Sequence, residues 1–263
     1  MSMKYLIVFI VIFSMLGCGA QPLVPEGPQR TESTTSDTDD SPRGRARIHT
    51  DLAGNYLEIR NLGVALEEAG IAQRSDPTFA PAYNIAALIY IEMQDDRKAE
   101  ENFRQALRIS PGDSDANNNY GTFLCSRKRE ADGIRHFMQA VRDPLYRNPD
   151  RSYVNAGVCA RRSGDPASAE KFFLNALRFR PDQTQALYQL ADMYYASARY
   201  NEARTLLRRL QPVAPESPEI LWLTLRNERR LGDSNALESL AHQLRTNFPN
   251  AKETGLLDAG RFE

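Results

Sequence analysis

Few residues in this sequence have the type and the spacing that chemistry at an active site requires. The three histidines, His49, His136 and His242, lie far apart, and none has a partner at the spacing of a metal site or a catalytic triad. The carboxylates of Asp95 and Asp96 fall at a predicted turn, where acidic residues are favoured as helix caps. We therefore expect no catalytic residue, no metal site, no cofactor and no small-molecule substrate, and the chain is not predicted to be an enzyme.

The N-terminal residues indicate a different kind of chemistry. Lys4 precedes an apolar run over residues 5–16, which is too short to cross a bilayer as a mature helix and is typical of a signal peptide. The segment from Met15 to Cys18 resembles a bacterial lipobox, in which the cysteine becomes the first mature residue and carries lipid. The resemblance implies a lipoprotein signal peptide over residues 1–17 and lipidation of Cys18. An uncleaved anchor and an ordinary secretory signal are the alternatives.

The residues that follow the cysteine indicate where the lipid would hold the protein. Gly19 stands where an Asp retains lipoproteins in the inner membrane, so the lipobox resemblance implies the outer membrane, with the protein facing the periplasm. Residues 18–45 are polar, contain several prolines and have little apolar surface to bury, and we expect them to form a disordered tether. The net charge of −1 and the scattered basic residues argue against a nucleic-acid partner.

The remainder of the chain has a period of 34 residues. Pro77 and Pro111 lie one period apart, as do Pro181 and Pro215, and Pro215 and Pro249. The interval of 70 residues between Pro111 and Pro181 is two periods plus two residues. Within each period, apolar residues recur at helical spacing over two segments that are joined by a short polar break.

Small and bulky residues return at fixed places within these periods. They include Ala99, Phe103 and Ala106 in one period and Ala169, Phe173 and Ala176 in another. The pattern resembles the tetratricopeptide repeat (TPR), a helix–turn–helix unit of 34 residues. The resemblance implies an all-α superhelical solenoid of about six units over residues 46–251, followed by a C-terminal tail over residues 252–263. Solenoids of this kind bind proteins. An irregular helical bundle is the alternative.

Two cysteines lie one period apart. Cys125 and Cys159 fall on the first helices of units three and four, which are neighbours in a stacked solenoid. In an oxidising periplasm we expect a disulfide between them. The two-residue insertion lies between these units, near Arg142–Asp150, and leaves their relative register open, so two buried free thiols are the alternative.

The binding surface is expected on the concave face, which first-helix residues line in TPR stacks. The repeat register places three apolar and three polar side chains there: Leu57, Asn84, Leu88, Ile91, Asn118 and Thr122. The apolar members would form a strip inside the groove, and the asparagines would hydrogen-bond a peptide backbone. Packing between repeats is the alternative role for the apolar members.

The lipobox, the polar tether and the six units together resemble the type IV pilus biogenesis/stability lipoproteins, the pilotins of the pilus secretin. The most specific part of the resemblance is a pair of segments rich in asparagine and ending in cysteine, residues 117–125 and 153–159. It implies an outer-membrane lipoprotein that binds secretin subunits and promotes their outer-membrane localisation and assembly. It also implies secretin contact in the N-terminal repeats. A general periplasmic TPR adaptor that scaffolds cell-wall enzymes is the alternative.

Overall fold

The computed structural model describes residues 40–262, and every regular element in that range is an α-helix. In chain order the helices are α1 (Pro42–Glu58), α2 (Leu62–Ser75), α3 (Ala80–Glu92), α4 (Asp96–Ile109), α5 (Ser114–Ser126), α6 (Glu130–Ala140), α7 (Pro149–Arg162), α8 (Pro166–Phe179), α9 (Thr184–Ala196), α10 (Tyr200–Leu210), α11 (Pro218–Leu231), α12 (Ser234–Asn247) and α13 (Lys252–Asp258). The first twelve helices form six consecutive pairs, and each pair packs on the next. The predicted all-α solenoid of six helix–turn–helix repeats is confirmed.

The solenoid begins slightly earlier than the sequence predicted. Helix α1 starts at Pro42, so residues 42–45, which were predicted to end the tether, are helical. The Ser41 side chain caps the helix by accepting a hydrogen bond from the Gly44 backbone N–H at 2.8 Å. A serine cap followed by proline in the first turn is a strong local start signal, and it outweighs the polar character of these residues.

Aspartate caps start several of the other helices. The Asp165 carboxylate accepts a hydrogen bond from the Ser168 backbone N–H at 3.0 Å, and Pro166 is the first residue of α8. Asp165 is therefore the N-cap of α8. The same bond recurs from Lys98 to Asp95 at 3.0 Å, where α4 begins. The aspartates at these turns therefore cap the N-termini of the helices that follow them.

A residue with positive φ marks the turn inside every repeat. These residues follow one another at intervals of 34, with 36 across the two-residue insertion, and they are Arg60, Gln94, Lys128, Gly164, Ala198 and Gly232. Only two of the six are glycine, although glycine adopts positive φ at the lowest cost. The other repeats hold the same left-handed turn by packing the two helices on either side of it.

Small residues allow the paired helices to approach closely, and a phenylalanine fills the space beside them. Phe103, Phe137 and Phe173 occupy the same place in three repeats and are fully buried. Gly157 lies directly against Phe173, since a Cβ at Gly157 would fall 2.6 Å from the ring. The buried residues form several clusters along the solenoid, and the largest of them runs without a break from repeat four to the first helix of repeat six.

The insertion lengthens the connection between repeats three and four. The loop runs over residues 141–148, and Pro149 and Asp150, which were predicted to belong to it, start α7 instead. The Asp150 carboxylate is buried and accepts a hydrogen bond from Gln183 at 2.9 Å. Arg180 lies 3.3 Å from the same carboxylate. This ionic anchor holds the start of α7 against the end of repeat four.

A polar relay joins several neighbouring repeats on the side of the second helices. Glu100 of α4 accepts hydrogen bonds from the Tyr120 hydroxyl at 2.9 Å and from Arg129 at 2.7 Å. Two repeats later the same arrangement is formed by Glu170, Tyr194 and Arg199. Burial, together with the Glu170 carboxylate, raises the pKa of Tyr194 to about 12. The hydroxyl therefore stays protonated and acts as a donor in the relay.

The last junction uses the same positions with the charges reversed. Arg204 takes the place of the relay carboxylate and pairs through two nitrogens with Glu228 of α11. Asp233 lies 3.6 Å from the same guanidinium. At the junction between repeats three and four the corresponding residue is Ile134, which packs in the apolar cluster with Phe137. That junction therefore has no charged residue at the relay position.

The C-terminal tail closes the apolar end of the solenoid. Helix α13 packs on α11 and α12, where the next repeat would otherwise stack. Leu257 and Phe262 join a cluster with Trp222, Leu225 and Leu244. Terminal repeats leave an apolar face that must be covered, and the tail covers it here.

Candidate protein-binding groove

The first helices of the repeats line one face of the solenoid. Each of α1, α3, α5, α7 and α9 contacts the next first helix along the chain, so their outward positions form one continuous surface. We call this surface the groove. All six residues that the repeat register predicted for it lie on three of these helices, α1, α3 and α5.

The apolar residues predicted for the groove are half-buried. Leu57 packs against the cluster that contains Ala53, while Leu88 and Ile91 pack against the cluster that contains Phe103. These side chains contribute to packing between the helices and also leave part of their surface open. Both roles considered from the sequence are thus compatible with their positions.

The polar residues predicted for the groove belong to a hydrogen-bonded ladder that crosses three helices. The Asn119 side-chain amide donates to Asn84 Oδ1 at 3.3 Å and so connects α5 to α3. Asn155 of α7 donates to Asn118 Oδ1 at 3.1 Å and to Thr122 Oγ1 at 3.5 Å. Asn118 and Thr122 are thus joined through Asn155, whereas Asn84 is bonded to Asn119, so one set of hydrogen bonds connects α3 to α5 and another connects α5 to α7.

Three members of the ladder were missed from the sequence: Asn119, Ser152 and Asn155. The Ser152 hydroxyl donates to Asn118 Oδ1 at 2.9 Å, which gives that oxygen two donors. Asn118 is only 7% exposed, so it lies beneath the groove and supports it. A signal for Asn155 was present, because it follows Asn119 by 36 residues, one period plus the insertion. Side-chain amides of Asn84, Asn119 and Asn155 remain partly open to a ligand.

Hydrogen bonds between first helices continue toward the C-terminus, where α7 and α9 are joined by charged side chains. Arg161 at the end of α7 donates to Gln189 and, at 2.9 Å, to Asp192, both on α9. The groove therefore changes along its length. Repeats one to three present apolar side chains and amides, and repeats four to six present arginines and aromatic rings.

A disulfide between Cys125 and Cys159 joins the same two helices, α5 and α7. The Cα atoms are 5.8 Å apart, within the range that a disulfide spans without distortion of the backbone. Both residues are buried in the cluster that contains Phe137 and Ala156. The bond holds together the two repeats that the lengthened loop connects.

The histidines occupy three separate places. His49 pairs with Glu68 at 2.5 Å, His136 bonds to Asn117 Oδ1 at 2.8 Å, and His242 is exposed. Burial lowers the pKa of His136, and the nearby Arg135 acts in the same direction. Within residues 40–262 there is no group of three or more His, Cys, Asp or Glu side chains that could hold a metal ion.

The predicted lipid anchor cannot be placed on this surface. Cys18, the signal peptide over residues 1–17 and most of the tether over residues 18–45 lie outside the described residues. None of the helices between residues 40 and 262 is long and apolar enough to cross a membrane.

Two stretches of the chain match the tetratricopeptide repeat family. One match covers residues 80–113, which include α3 and α4, and the other covers residues 160–225, from the end of α7 into α11. Both agree with the repeats seen in the structure.

Similarity to individual proteins is more informative. The type IV pilus assembly protein PilF of Pseudomonas aeruginosa is 26% identical over 254 residues, which cover 96% of this chain and 97% of the relative. The crystal structure of PilW, described as a widely conserved type IV pilus biogenesis factor, is similar with a TM-score of 0.71 and 31% identity over 81% of this chain and 97% of that one. The structure of Pseudomonas aeruginosa PilF gives a TM-score of 0.75 and 25% identity over 83% and 99% of the two chains.

Proposed function

The chain is a tetratricopeptide-repeat protein related to the type IV pilus biogenesis factors PilF and PilW, and from this premise we propose that it acts in pilus biogenesis by binding subunits of the pilus secretin. The similarity extends over nearly the whole length of the relatives, so the proposal concerns the complete solenoid. Binding would promote the localisation of the secretin to the outer membrane and its assembly into multimers.

The groove of repeats one to three is the observation on which the proposal depends. Half-buried Leu57, Leu88 and Ile91 lie beside the partly open amides of Asn84 and Asn119. An extended or helical segment of a partner would bury its apolar side chains on the former and donate or accept backbone hydrogen bonds at the latter. The ladder and the disulfide hold this surface in place before the partner arrives, which lowers the entropic cost of binding.

The lipid anchor would determine the membrane to which a bound secretin subunit is carried. With lipid on Cys18, the solenoid would be held at the periplasmic face of the outer membrane by the polar segment that precedes α1. A secretin subunit bound in the groove would then travel with the lipoprotein to that membrane. Acyl transfer to Cys18 is testable by mass spectrometry of the mature protein, and a Cys18→Ser variant should leave secretin multimers unassembled or mislocalised.

The groove is tested by titrating the purified protein with the periplasmic part of the secretin. Leu88→Asp should weaken binding by about tenfold or more, because it places a charge in the apolar part of the contact. The matched control is Leu174→Asp, at an exposed position on α8. Equal affinity of the Leu88→Asp variant and the unchanged protein would reject the groove.

Secretin assembly in cells tests the function itself. Deletion of the gene should reduce heat-stable secretin multimers and leave monomers. Normal multimers in the deletion strain would contradict the proposal. If cell-wall enzymes rather than the secretin were recovered with the protein, the solenoid would instead be the adaptor considered above.

A further inference from the structure

The loops that join consecutive repeats lie at one edge of the solenoid, because each first helix begins beside the end of the second helix before it. They are residues 76–79, 110–113, 141–148, 180–183 and 211–217. The start of α1 lies at this edge too, since the Arg43 guanidinium is 3.6 Å from the Asp76 carboxylate and 5.4 Å from the centroid of the Phe79 ring. We call the five loops, the helix ends that flank them and the start of α1 the loop edge.

One arginine stands at the end of the second helix in each of the first four repeats. They follow one another at intervals of 34, 34 and 36 residues, and they are Arg74, Arg108, Arg142 and Arg178. All four are exposed, and within residues 40–262 none of their side chains forms a hydrogen bond or an ion pair. At the opposite edge, by contrast, Arg60 pairs with Glu92 and Arg127 pairs with Asp96. The loop edge therefore carries a row of guanidinium groups without partners in the described part of the chain.

Three exposed apolar side chains lie at the same edge. They also follow one another at intervals of 34 residues, and they are Leu145, Phe179 and Val213. Leu145 is 85% exposed, Phe179 is 58% exposed and Val213 is 42% exposed. The ring of Phe179 stacks on Tyr153, with the ring centroids 5.6 Å apart, and still keeps more than half of its surface open. The helix dipole favours a basic residue in a last turn, but it does not account for apolar side chains that are exposed beside it.

Most aspartates of the loop edge are bound to their own turns. Asp76, Asp113 and Asp143 each accept a hydrogen bond from a backbone N–H of the turn at 2.8 Å. An arginine side chain is longer, and its charged end extends beyond such a turn. Asp115 and Asp182 are exposed and offset part of the positive charge. Attraction through the arginines is therefore moderate, and it becomes effective when apolar contacts and a tether add to it.

We propose that the loop edge docks on the surface of a membrane that contains anionic phospholipids, with the arginines against phosphate groups and the three apolar side chains at the interface. The inference rests on the lipid anchor proposed above at Cys18, and not on the identity of the partner in the groove. The chain that leads back to Cys18 leaves the solenoid at the start of α1, on this edge. A flexible segment of about 23 residues would span roughly 25 Å, and the opposite edge lies about one helix length, roughly 20 Å, farther away. The anchor would thus bring the loop edge to the membrane first.

A lipid surface suits this edge better than a protein segment or a second copy of the chain. The arginines extend over four repeats, and a fluid surface can bring a phosphate group to each of them whatever their spacing. A second copy that met the same edge would place arginines against arginines. The groove lies on the sides of the first helices, so it remains open to a partner while the helix ends contact the membrane.

Fluorophores at the two edges test the docking. The full chain, purified from cells in detergent, is reconstituted with vesicles of phosphatidylethanolamine and phosphatidylglycerol, or of phosphatidylcholine alone. An environment-sensitive fluorophore is attached to Gly112→Cys in a loop of the loop edge, where an added Cβ meets no atom within 4 Å, or to Met93→Cys, at an exposed position of the opposite edge. The thiols of Cys125 and Cys159 do not compete, because they form a disulfide. With phosphatidylglycerol, emission from position 112 should shift to shorter wavelength and be quenched by nitroxide-labelled lipid, whereas emission from position 93 should not change.

Variants separate docking from general charge attraction. Arg142→Gln combined with Arg178→Gln should lower the equilibrium constant for docking by about tenfold or more, as read from the spectral shift against the phosphatidylglycerol content. Lys128→Gln combined with Arg162→Gln removes the same charge at exposed positions of the opposite edge and is the matched control. The control pair should dock as the unchanged protein does.

Several outcomes would overturn the proposal. They are the absence of a shift from position 112 on phosphatidylglycerol vesicles, an equal shift from position 93, an equal shift on phosphatidylcholine, and an equal loss in the control pair. A shift that grows with protein density rather than with phosphatidylglycerol content would assign the edge to contact between copies and would likewise overturn it. Flotation with phosphatidylcholine vesicles checks the lipid anchor separately, and the vesicles contain no secretin, so failure of docking is distinguishable from failure of the proposed function.

Discussion

At the residue scale, three consecutive asparagines on α5 point in three directions and do three different things. Asn117 is buried; its side-chain amide donates to the Pro111 carbonyl at 3.0 Å, and its Oδ1 accepts a hydrogen bond from His136 Nδ1 at 2.8 Å. Asn118 lies below the groove as the acceptor for Ser152 and Asn155. Asn119 reaches across to Asn84. Asn117 thus stabilises the start of α5, Asn118 connects α5 to the next repeat, and Asn119 lines the groove.

Replacement of Asn118 tests its supporting role. In Asn118→Ala, the Ser152 hydroxyl and one Asn155 donor lose their acceptor beneath the groove. We expect the free energy of unfolding to fall by about 1–3 kcal/mol, as for other buried polar groups left without a partner. Asn84→Ala loses a single bond at a half-exposed site and should cost less. Urea denaturation of the two variants checks the order, and an equal or reversed order would contradict it.

His136 makes stability depend on pH in a defined direction. Its pKa in the folded protein is lowered from 6.5 by burial, so the unfolded chain takes up a proton at a higher pH than the folded one does. Stability is therefore fully present above about pH 6.5 and falls as the pH drops toward the lowered folded pKa. His136→Gln should reduce the loss of stability measured between about pH 7.5 and 5.5. The exposed control His242→Gln should show the same loss as the unchanged protein.

The positions of individual groove residues were predicted only in part. The repeat register predicted Asn84, Asn118 and Thr122 for one face. In the structure Asn118 and Thr122 are joined through Asn155, and Asn84 bonds to Asn119. The register did not show that Asn118 lies beneath the groove while Asn119 lines it. Successive side chains of a helix are rotated by about 100° around its axis, so a shift of one position moves a side chain from the groove to the interior. Depth within the face depends on how α5 and α7 pack, which a single repeat does not specify.

At the element scale, close approach within a pair depends on a glycine of the first helix. Gly157 on α7 lies against the fully buried Phe173 of α8, and Gly121 on α5 lies against Phe137 of α6. In both pairs the ring fills the space that a Cβ would need. This explains why aromatic residues and glycines recur together in the third and fourth repeats.

A methyl group at Gly157 tests this packing. The added Cβ of Gly157→Ala would lie within 2.8 Å of three atoms of the Phe173 ring, which has no room to move. We expect a loss of about 1–3 kcal/mol in the free energy of unfolding. Gly63→Ala on α2 is the control, since no atom lies within 4 Å of its added Cβ. It should be as stable as the unchanged protein or slightly more so, as thermal unfolding would show. Equal stability of both variants would contradict the account.

The turns inside the repeats show what residue type alone does not predict. A turn was predicted at Asp95 and Asp96, and Gln94 directly before them has positive φ, as do Gly164 and Gly232 in the corresponding turns. Arg60, Lys128 and Ala198 have the same conformation, although none of these types favours it. The period of 34 residues locates the turn in every repeat, whereas the left-handed conformation is imposed by the helices that flank it.

At the scale of the whole molecule, the junctions from repeat two to repeat six are secured by different side-chain contacts. Relays of opposite charge join repeats two to three, four to five and five to six. The junction between repeats three and four has Ile134 at the relay position and carries the disulfide instead. Because a solenoid transmits stability mainly between neighbours, a weak junction would divide it into two parts. The disulfide lies at the junction with the longest loop; the first junction also lacks a relay, since Leu66 occupies that position and packs in the apolar cluster there.

Removal of the disulfide should therefore affect the whole solenoid. For a loop of 34 residues, chain entropy gives a stabilisation of about 3–4 kcal/mol. Reduction of the protein, in a Cys18→Ser background that has no other thiol, should lower the free energy of unfolding by that amount. Cys125→Ala with Cys159→Ala should be insensitive to the reductant. Unchanged stability after complete reduction, verified by thiol alkylation, would show that the bond is not needed at this junction.

The central claim is that the groove of repeats one to three contacts the secretin in the cell. The most direct measurement places a photo-crosslinking amino acid at Leu88 in cells that produce type IV pili, and at Leu174 on α8 as the control. After illumination, the account predicts a covalent adduct between this protein and the secretin from position 88 and none from position 174. No secretin adduct from position 88, or an equally strong one from position 174, would contradict it.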